Sequence, residues 1–100
     1  MRIALDLFCG TGGATAAFCG RPGWDVIGID NDGRRAGVDV IADVRRLPVT
    51  GSVAFIWASP PCQEFSTMPP GRAGRRPSLD LIFATLSAVR DLRPKYWVME

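Results

Sequence analysis

The chain of 100 residues has no histidine and only three cysteines, Cys9, Cys19 and Cys62, with no C-x-x-C pair among them. An odd number of cysteines without paired spacing argues against a disulfide framework. Together with the missing imidazoles it also argues against a zinc site, so no metal is expected. No apolar run approaches the roughly 20 residues of a membrane-spanning helix. The N-terminus lacks a basic region followed by an apolar stretch and a small-residue cleavage site. A cytosolic protein with no membrane partner is the expectation. Excess charge is scarce as well: 12 Lys and Arg against 10 Asp and Glu leave a net +2, too little to imply nucleic acid by itself. There is no internal repeat, no heptad pattern and no low-complexity tract. What remains is ordinary, 47% hydrophobic and 22% charged, and fits one small globular domain over residues 1–100.

Apolar runs alternate with glycine turns and helical patterns. Ile3–Phe8 reads as a central strand, followed by the turn Cys9-Gly10-Thr11-Gly12-Gly13 and a helix from Ala14 to Cys19. Strand, glycine turn, helix is a geometry that points backbone N–H groups at a ligand, and glycines there permit close approach and positive φ. The spacing is G-x-G-G rather than the dinucleotide G-x-G-x-x-G, which disfavours a bound pyrophosphate, and a plain tight turn is the alternative. Gly20 and Pro22-Gly23 end the helix. Trp24–Asp30 reads as the second strand and Val38–Val44 as the third. Asp30 at a strand end is placed to accept the ribose hydroxyls of a nucleoside cofactor, or alternatively to cap the segment 32–36. Asp43 repeats the arrangement one strand further on.

Val53–Trp57 reads as a buried fourth strand, stopped by Pro60-Pro61, which puts Cys62 just past its carboxyl end. Free cysteine is more often core filler than catalyst. It is the position after a strand that makes Cys62 a candidate nucleophile. The Pro-, Gly- and Arg-rich stretch 69–77, with Arg72, Arg75 and Arg76, reads as a mobile loop. Ser78 is a plausible N-cap for an amphipathic helix whose stripe Leu79, Ile82, Phe83, Leu86 and Val89 reads as core packing. Pro94 stops that helix, and residues 95–100 read as a fifth strand ending at Glu100. The β-α alternation implies an α/β, doubly wound, mostly parallel sheet of about five strands.

Asp6-Leu7-Phe8-Cys9-Gly10-Thr11-Gly12-Gly13 resembles the first motif of the cytosine-C5 DNA methyltransferases, and Pro60-Pro61-Cys62-Gln63-Glu64-Phe65-Ser66 resembles their Pro-Cys-Gln motif. Ile29-Asp30, Ala42-Asp43-Val44 and Val98-Met99-Glu100 look like the other motifs, in order. The likeness covers essentially the whole chain and looks strongest to compact phage or actinobacterial members, hence to a bacterial or phage-infected cytoplasm and a restriction-modification setting.

The resemblance implies a Rossmann-like S-adenosylmethionine methyltransferase fold. Cofactor contacts would come from Phe8, Cys9, Gly10, Gly12, Asp30, Asn31, Asp43, Val44 and Pro60. The family usually has Glu where Asp30 stands and an aromatic residue where Asn31 stands. Cys62 would be the nucleophile adding to cytosine C6, and Glu100 the group at N3. Gln63, Ser66, Arg72, Arg75 and Arg76 would contact double-stranded DNA with the cytosine flipped out. The family pattern continues past Glu100 with further strands, an arginine motif and a target-recognition region. The expectation is therefore a partial catalytic domain, with a second chain as one source of the remaining half. Two other readings stay open: a non-catalytic S-adenosylmethionine-binding module, and a tRNA cytosine-C5 methyltransferase.

Overall fold

The computed structural model describes residues 2–10, 12–18, 21–49, 51–60 and 79–100. The expectations for Cys62, Gln63, Ser66, Arg72, Arg75 and Arg76 lie outside those residues, and the N-cap position expected at Ser78 falls instead to Leu79, which makes no side-chain cap bond. Five strands, β1 (Arg2–Leu7), β2 (Trp24–Asp30), β3 (Val40–Ile41), β4 (Phe55–Ala58) and β5 (Tyr96–Met99), form one sheet in the order β3-β2-β1-β4-β5. Every pairing is parallel. Helices α1 (Gly13–Phe18) and α2 (Asp80–Leu92) and a 3-10 turn at Val44–Arg46 complete the described elements. This is a Rossmann-like α/β architecture.

The central strand shows why a parallel sheet forms. Ala4, Leu5, Asp6 and Leu7 of β1 are all buried, as expected for a strand covered on both faces. One face carries the main core: Leu5, Leu7, Ile29, Ile56 and Ala58 pack with Val44, Val53 and Leu92. The other face carries Asp6 in register with Gly28 on one side and Trp57 on the other. The chain winds outward from β1 through β2 to β3, then crosses back to β4 and out to β5. The order therefore reverses between β1 and β4, and it is at such a reversal that open sheets leave a crevice beyond their carboxyl ends.

Two expectations are corrected here. The third strand is not continuous over Val38–Val44: only Val40 and Ile41 pair, with the last two residues of β2. Beyond them Asp43 accepts a hydrogen bond from the Arg45 backbone N–H at 2.9 Å and caps the 3-10 turn, which draws the chain away from the sheet.

The apolar stripe of α2 is core packing only in part: of its five residues, Val89 packs against the core. Phe83 is 60% exposed, and Leu79 and Leu86 are exposed as well, whereas Thr85 is fully buried with Ala88 and Leu92. Leu81, Ala84 and Val89 pack against the core beside them. Small residues on this face let the helix approach the 3-10 turn closely. Thr85 Oγ1 donates to the Leu81 carbonyl at 2.6 Å, so its hydroxyl is buried with a partner. Arg93 in the left-handed conformation closes the helix, its N–H donating to the Val89 carbonyl, and Pro94 follows.

Candidate active site

The carboxyl end of β1 runs into a turn of unusual backbone. Phe8 has φ 60°, Gly10 51° and Gly12 87°. The two glycines adopt these angles freely, but Phe8 is strained there, a state that persists only where the surroundings hold it. The Cys9 N–H donates to the Ile29 carbonyl, and the Gly12 N–H turns back to the Cys9 carbonyl at 2.7 Å. A side chain at Gly10 or Gly13 would meet nothing within 4 Å, so open space lies beside the turn.

The segment 31–39 is strapped across this turn. The Gly37 N–H donates to the Gly10 carbonyl at 3.1 Å, and the Cys9 thiol donates to the Gly37 carbonyl at 3.3 Å. Asp39 closes the strap from below: its Oδ2 accepts from the Gly28 N–H at 2.8 Å while its own N–H donates to the Gly28 carbonyl. Gly28 permits this crossing, because a Cβ there would collide with the Gly37 carbonyl oxygen and crowd Cys9 Sγ.

Two clefts flank the turn and share Phe8 and Ser59. The smaller, about 300 Å³, is lined by Asp30, Asn31, Asp43 and Val44, together with Leu81 and Arg45. Asp30 does more than wait at a strand end: Oδ2 accepts from the Gly10 N–H and Oδ1 from the Asp32 N–H, each at 3.0 Å. The capping alternative and the cleft-lining position therefore hold together. Asp43 is likewise engaged, by the Arg45 backbone N–H and by its guanidinium at 3.1 Å.

The larger cleft, about 890 Å³, is lined by Asp6, Cys9, Gly10, Arg35, Trp57 and Glu100, among others. Glu100 is exposed and is held at the end of β5 by its own N–H, which donates to the Ala58 carbonyl at 2.9 Å. Trp57 Nε1 donates to Ser59 Oγ at 3.0 Å, fixing one of the two residues both clefts share. Burial pushes the Cys9 thiol up to about 11, helped by the Asp6 and Asp30 carboxylates, so Cys9 stays protonated and is no nucleophile.

Of the expected contacts, Phe8, Asp30, Asn31, Asp43 and Val44 come together at the smaller cleft and Phe8, Cys9, Gly10 and Glu100 at the larger. Gly12 and Pro60 are buried and line neither. Leu81, Arg45, Arg35, Trp57 and Ser59 were not singled out as cleft residues from the sequence. Arg35 carried a faint signal as half of the Arg34-Arg35 pair. Leu81 carried none, sitting off the expected stripe of its helix. Among the described residues, no group of three or more Cys, Asp or Glu is placed to hold a metal, and no helix is long and apolar enough to cross a membrane.

The profile of C-5 cytosine-specific DNA methylases matches residues 3–100, nearly the entire chain. The chain belongs to that family. It is 30% identical over 114 residues to the probable DNA (cytosine-5)-methyltransferase of Frog virus 3 (isolate Goorha), a match covering 100% of this chain and 53% of the viral protein. It is 38% identical over 61 residues to DNA (cytosine-5)-methyltransferase 1A of Oryza sativa subsp. japonica, covering 57% of this chain and 4% of the plant protein. The chain thus spans about half the length of the viral methylase and a small part of the plant one. No solved structure matches it.

Proposed function

We propose that this chain is the cofactor-binding and nucleophile-bearing part of an S-adenosylmethionine-dependent methyltransferase acting on cytosine C5 in DNA. The observation that carries the reading is the junction at Phe8 and Ser59. There, two clefts meet between the ends of β1 and β4, the strands leading into the glycine turn and into the Pro-Pro-Cys-Gln stretch. Membership of the C-5 cytosine-specific methylases supports the same substrate.

The donor set suits the cofactor. The smaller cleft offers two carboxylates, Asp30 and Asp43, and the apolar Phe8, Val44 and Leu81, which fit a sugar's hydroxyls and a flat base. Open space beside Gly10 and Gly13 leaves room for the rest of the molecule toward the larger cleft. When bound, S-adenosylmethionine supplies an electrophilic methyl group on a sulfonium sulfur.

The chain's own chemistry starts at Cys62. Its thiolate adds to C6 of a cytosine flipped from the duplex, which moves electron density to C5 and makes that carbon nucleophilic. Glu100 hydrogen-bonds N3 and offsets the charge that builds on the ring. Once C5 carries the methyl group, loss of its remaining proton expels the Cys62 thiolate and restores the aromatic ring. Gln63 and Ser66, which follow the nucleophile in sequence, contact the DNA strand, and Arg72, Arg75 and Arg76 meet phosphates.

The test is a DNA duplex containing 5-fluorocytosine, incubated with the protein and S-adenosylmethionine. Fluorine leaves no C5 proton to lose, so the thiol remains attached and a covalent protein–DNA band accumulates. The band is expected with the native chain and absent with Cys62→Ser. No band from a chain that binds the cofactor would leave only a cofactor-binding module.

A further inference from the structure

We infer that Arg35 recognises the α-carboxylate at the amino-acid end of the cofactor, an assignment that rests on the cofactor reading above. An amino-acid tail is a zwitterion, and its carboxylate needs a cation in a cleft whose other charged walls repel it. Among the described residues the larger cleft has that distribution: Asp6 and Glu100 are its acids and Arg35 its cation. A carboxylate entering it is driven from the first two and toward the third.

The position of Arg35 is built rather than incidental. It lies in the strap held to the glycine turn by Gly37 to Gly10, by Cys9 to Gly37, and by Asp39 to Gly28. Its own N–H donates to the Asp32 carbonyl at 3.4 Å. The neighbouring arginine absorbs the nearby acid: Arg34 meets Asp32 through Nε at 3.0 Å and a terminal nitrogen at 3.3 Å, holding that carboxyl below its ordinary range. Arg35 Nε forms only an exposed ion pair with Asp32 Oδ2, at 3.7 Å and so too long for a hydrogen bond. Among the described residues its guanidinium makes no hydrogen bond, so a planar fork of donors remains at the cleft wall beside the open space at Gly10. A carboxylate fits that fork bidentately.

The test compares two ligands that share the thionucleoside and differ in the amino-acid tail, with the Arg35 variants isolating the carboxylate contact. S-adenosylhomocysteine carries the amino-acid end, and 5′-methylthioadenosine keeps the nucleoside but lacks it. Binding to the native chain, Arg35→Ala and Arg35→Lys is measured by calorimetry at low salt. Arg35→Ala is expected to weaken S-adenosylhomocysteine roughly 10-fold, the lower end for a charge-assisted pair at a half-exposed site. It should leave 5′-methylthioadenosine unchanged, and Arg35→Lys should restore part of the loss. Equal losses for both ligands would show that Arg35 only shapes the strap and would overturn the assignment, as would no loss for either. If the native chain bound 5′-methylthioadenosine but S-adenosylhomocysteine no better, the nucleoside cleft would stand and the Arg35 contact would fall. Binding of neither ligand by the native chain would overturn the cofactor reading itself and this assignment with it.

Discussion

The carboxylate of Asp30 reaches from the end of β2 to the glycine turn after β1, where its Oδ2 accepts a hydrogen bond from the Gly10 N–H at 3.0 Å. The other oxygen holds the Asp32 N–H at the same distance, so a single side chain fixes both the turn and the start of the strap. Asp30→Asn keeps the shape but turns an amide NH₂ toward one of the two donors. It is expected to lower stability by about 1–3 kcal/mol, the cost of one partly buried donor left without its charged acceptor. Asp30→Ala should cost more, since both donors lose their partner. Urea denaturation of the three proteins checks the ranking.

Gly28 and Gly33 separate a backbone collision from a side-chain one. A Cβ at Gly28 meets the Gly37 carbonyl oxygen, which the strap cannot withdraw without breaking its hydrogen bond from Cys9. A Cβ at Gly33 meets only the end of the Ile41 side chain, itself mostly exposed and free to swing aside. Gly28→Ala is expected to destabilise by roughly 1–3 kcal/mol, as overpacking does. Gly33→Ala should stay within about 0.5 kcal/mol of the native chain. Thermal melts of the two variants side by side test the contrast.

These relationships also mark where sequence reading ends. β2 was legible to the residue, because Trp24–Asp30 is a β-branched and apolar run between a Pro-Gly turn and a polar segment. The glycine turn and the acids at Asp30 and Asp43 were legible as cleft candidates because their residue types are few and positional. The buried face of α2 was not. Five large apolar residues make a louder periodic signal than Ala84, Thr85 and Ala88, yet it is the small residues that allow close packing. Arg35 and Gly28 were not legible either, since their roles depend on a strap tied by bonds between residues far apart in sequence. A short third strand followed by an Asp-capped 3-10 turn reads as one strand until the cap is seen.

Glu100 ends at the larger cleft beside the exit of β4, tied to Ala58 through its backbone alone. Replacing its side chain therefore leaves that tie in place. Glu100→Gln is expected to slow formation of the fluorocytosine adduct by about 10²–10⁴-fold, the usual worth of a positioned acid or base. The melting temperature should stay near that of the native chain, because the side chain is exposed. Adduct formation at the native rate would remove Glu100 from the chemistry.

Cys9 makes the stability of the turn dependent on alkaline pH. Its thiol is buried, donates to the Gly37 carbonyl and faces the Asp6 and Asp30 carboxylates, so its pKa rises from 9.0 to about 11 on folding. A raised value in the folded state means the unfolded chain loses this proton first. The native state therefore holds more protons between the two values, and stability falls as pH rises through that window. The contribution is complete below about pH 9 and largely gone by about pH 11, on the order of 2–3 kcal/mol at roughly 1.4 kcal/mol per unit. Other groups ionise in the same range, so the native chain is compared with Cys9→Ala, which lacks this ionisation. The lost sulfur contacts shift the difference by an amount that does not change with pH. The stability difference between the two, measured by urea denaturation at pH 8 and at pH 11, is expected to move against the native chain by that amount. A difference that did not change with pH would mean that Cys9 ionises as readily in the folded chain as in the unfolded one.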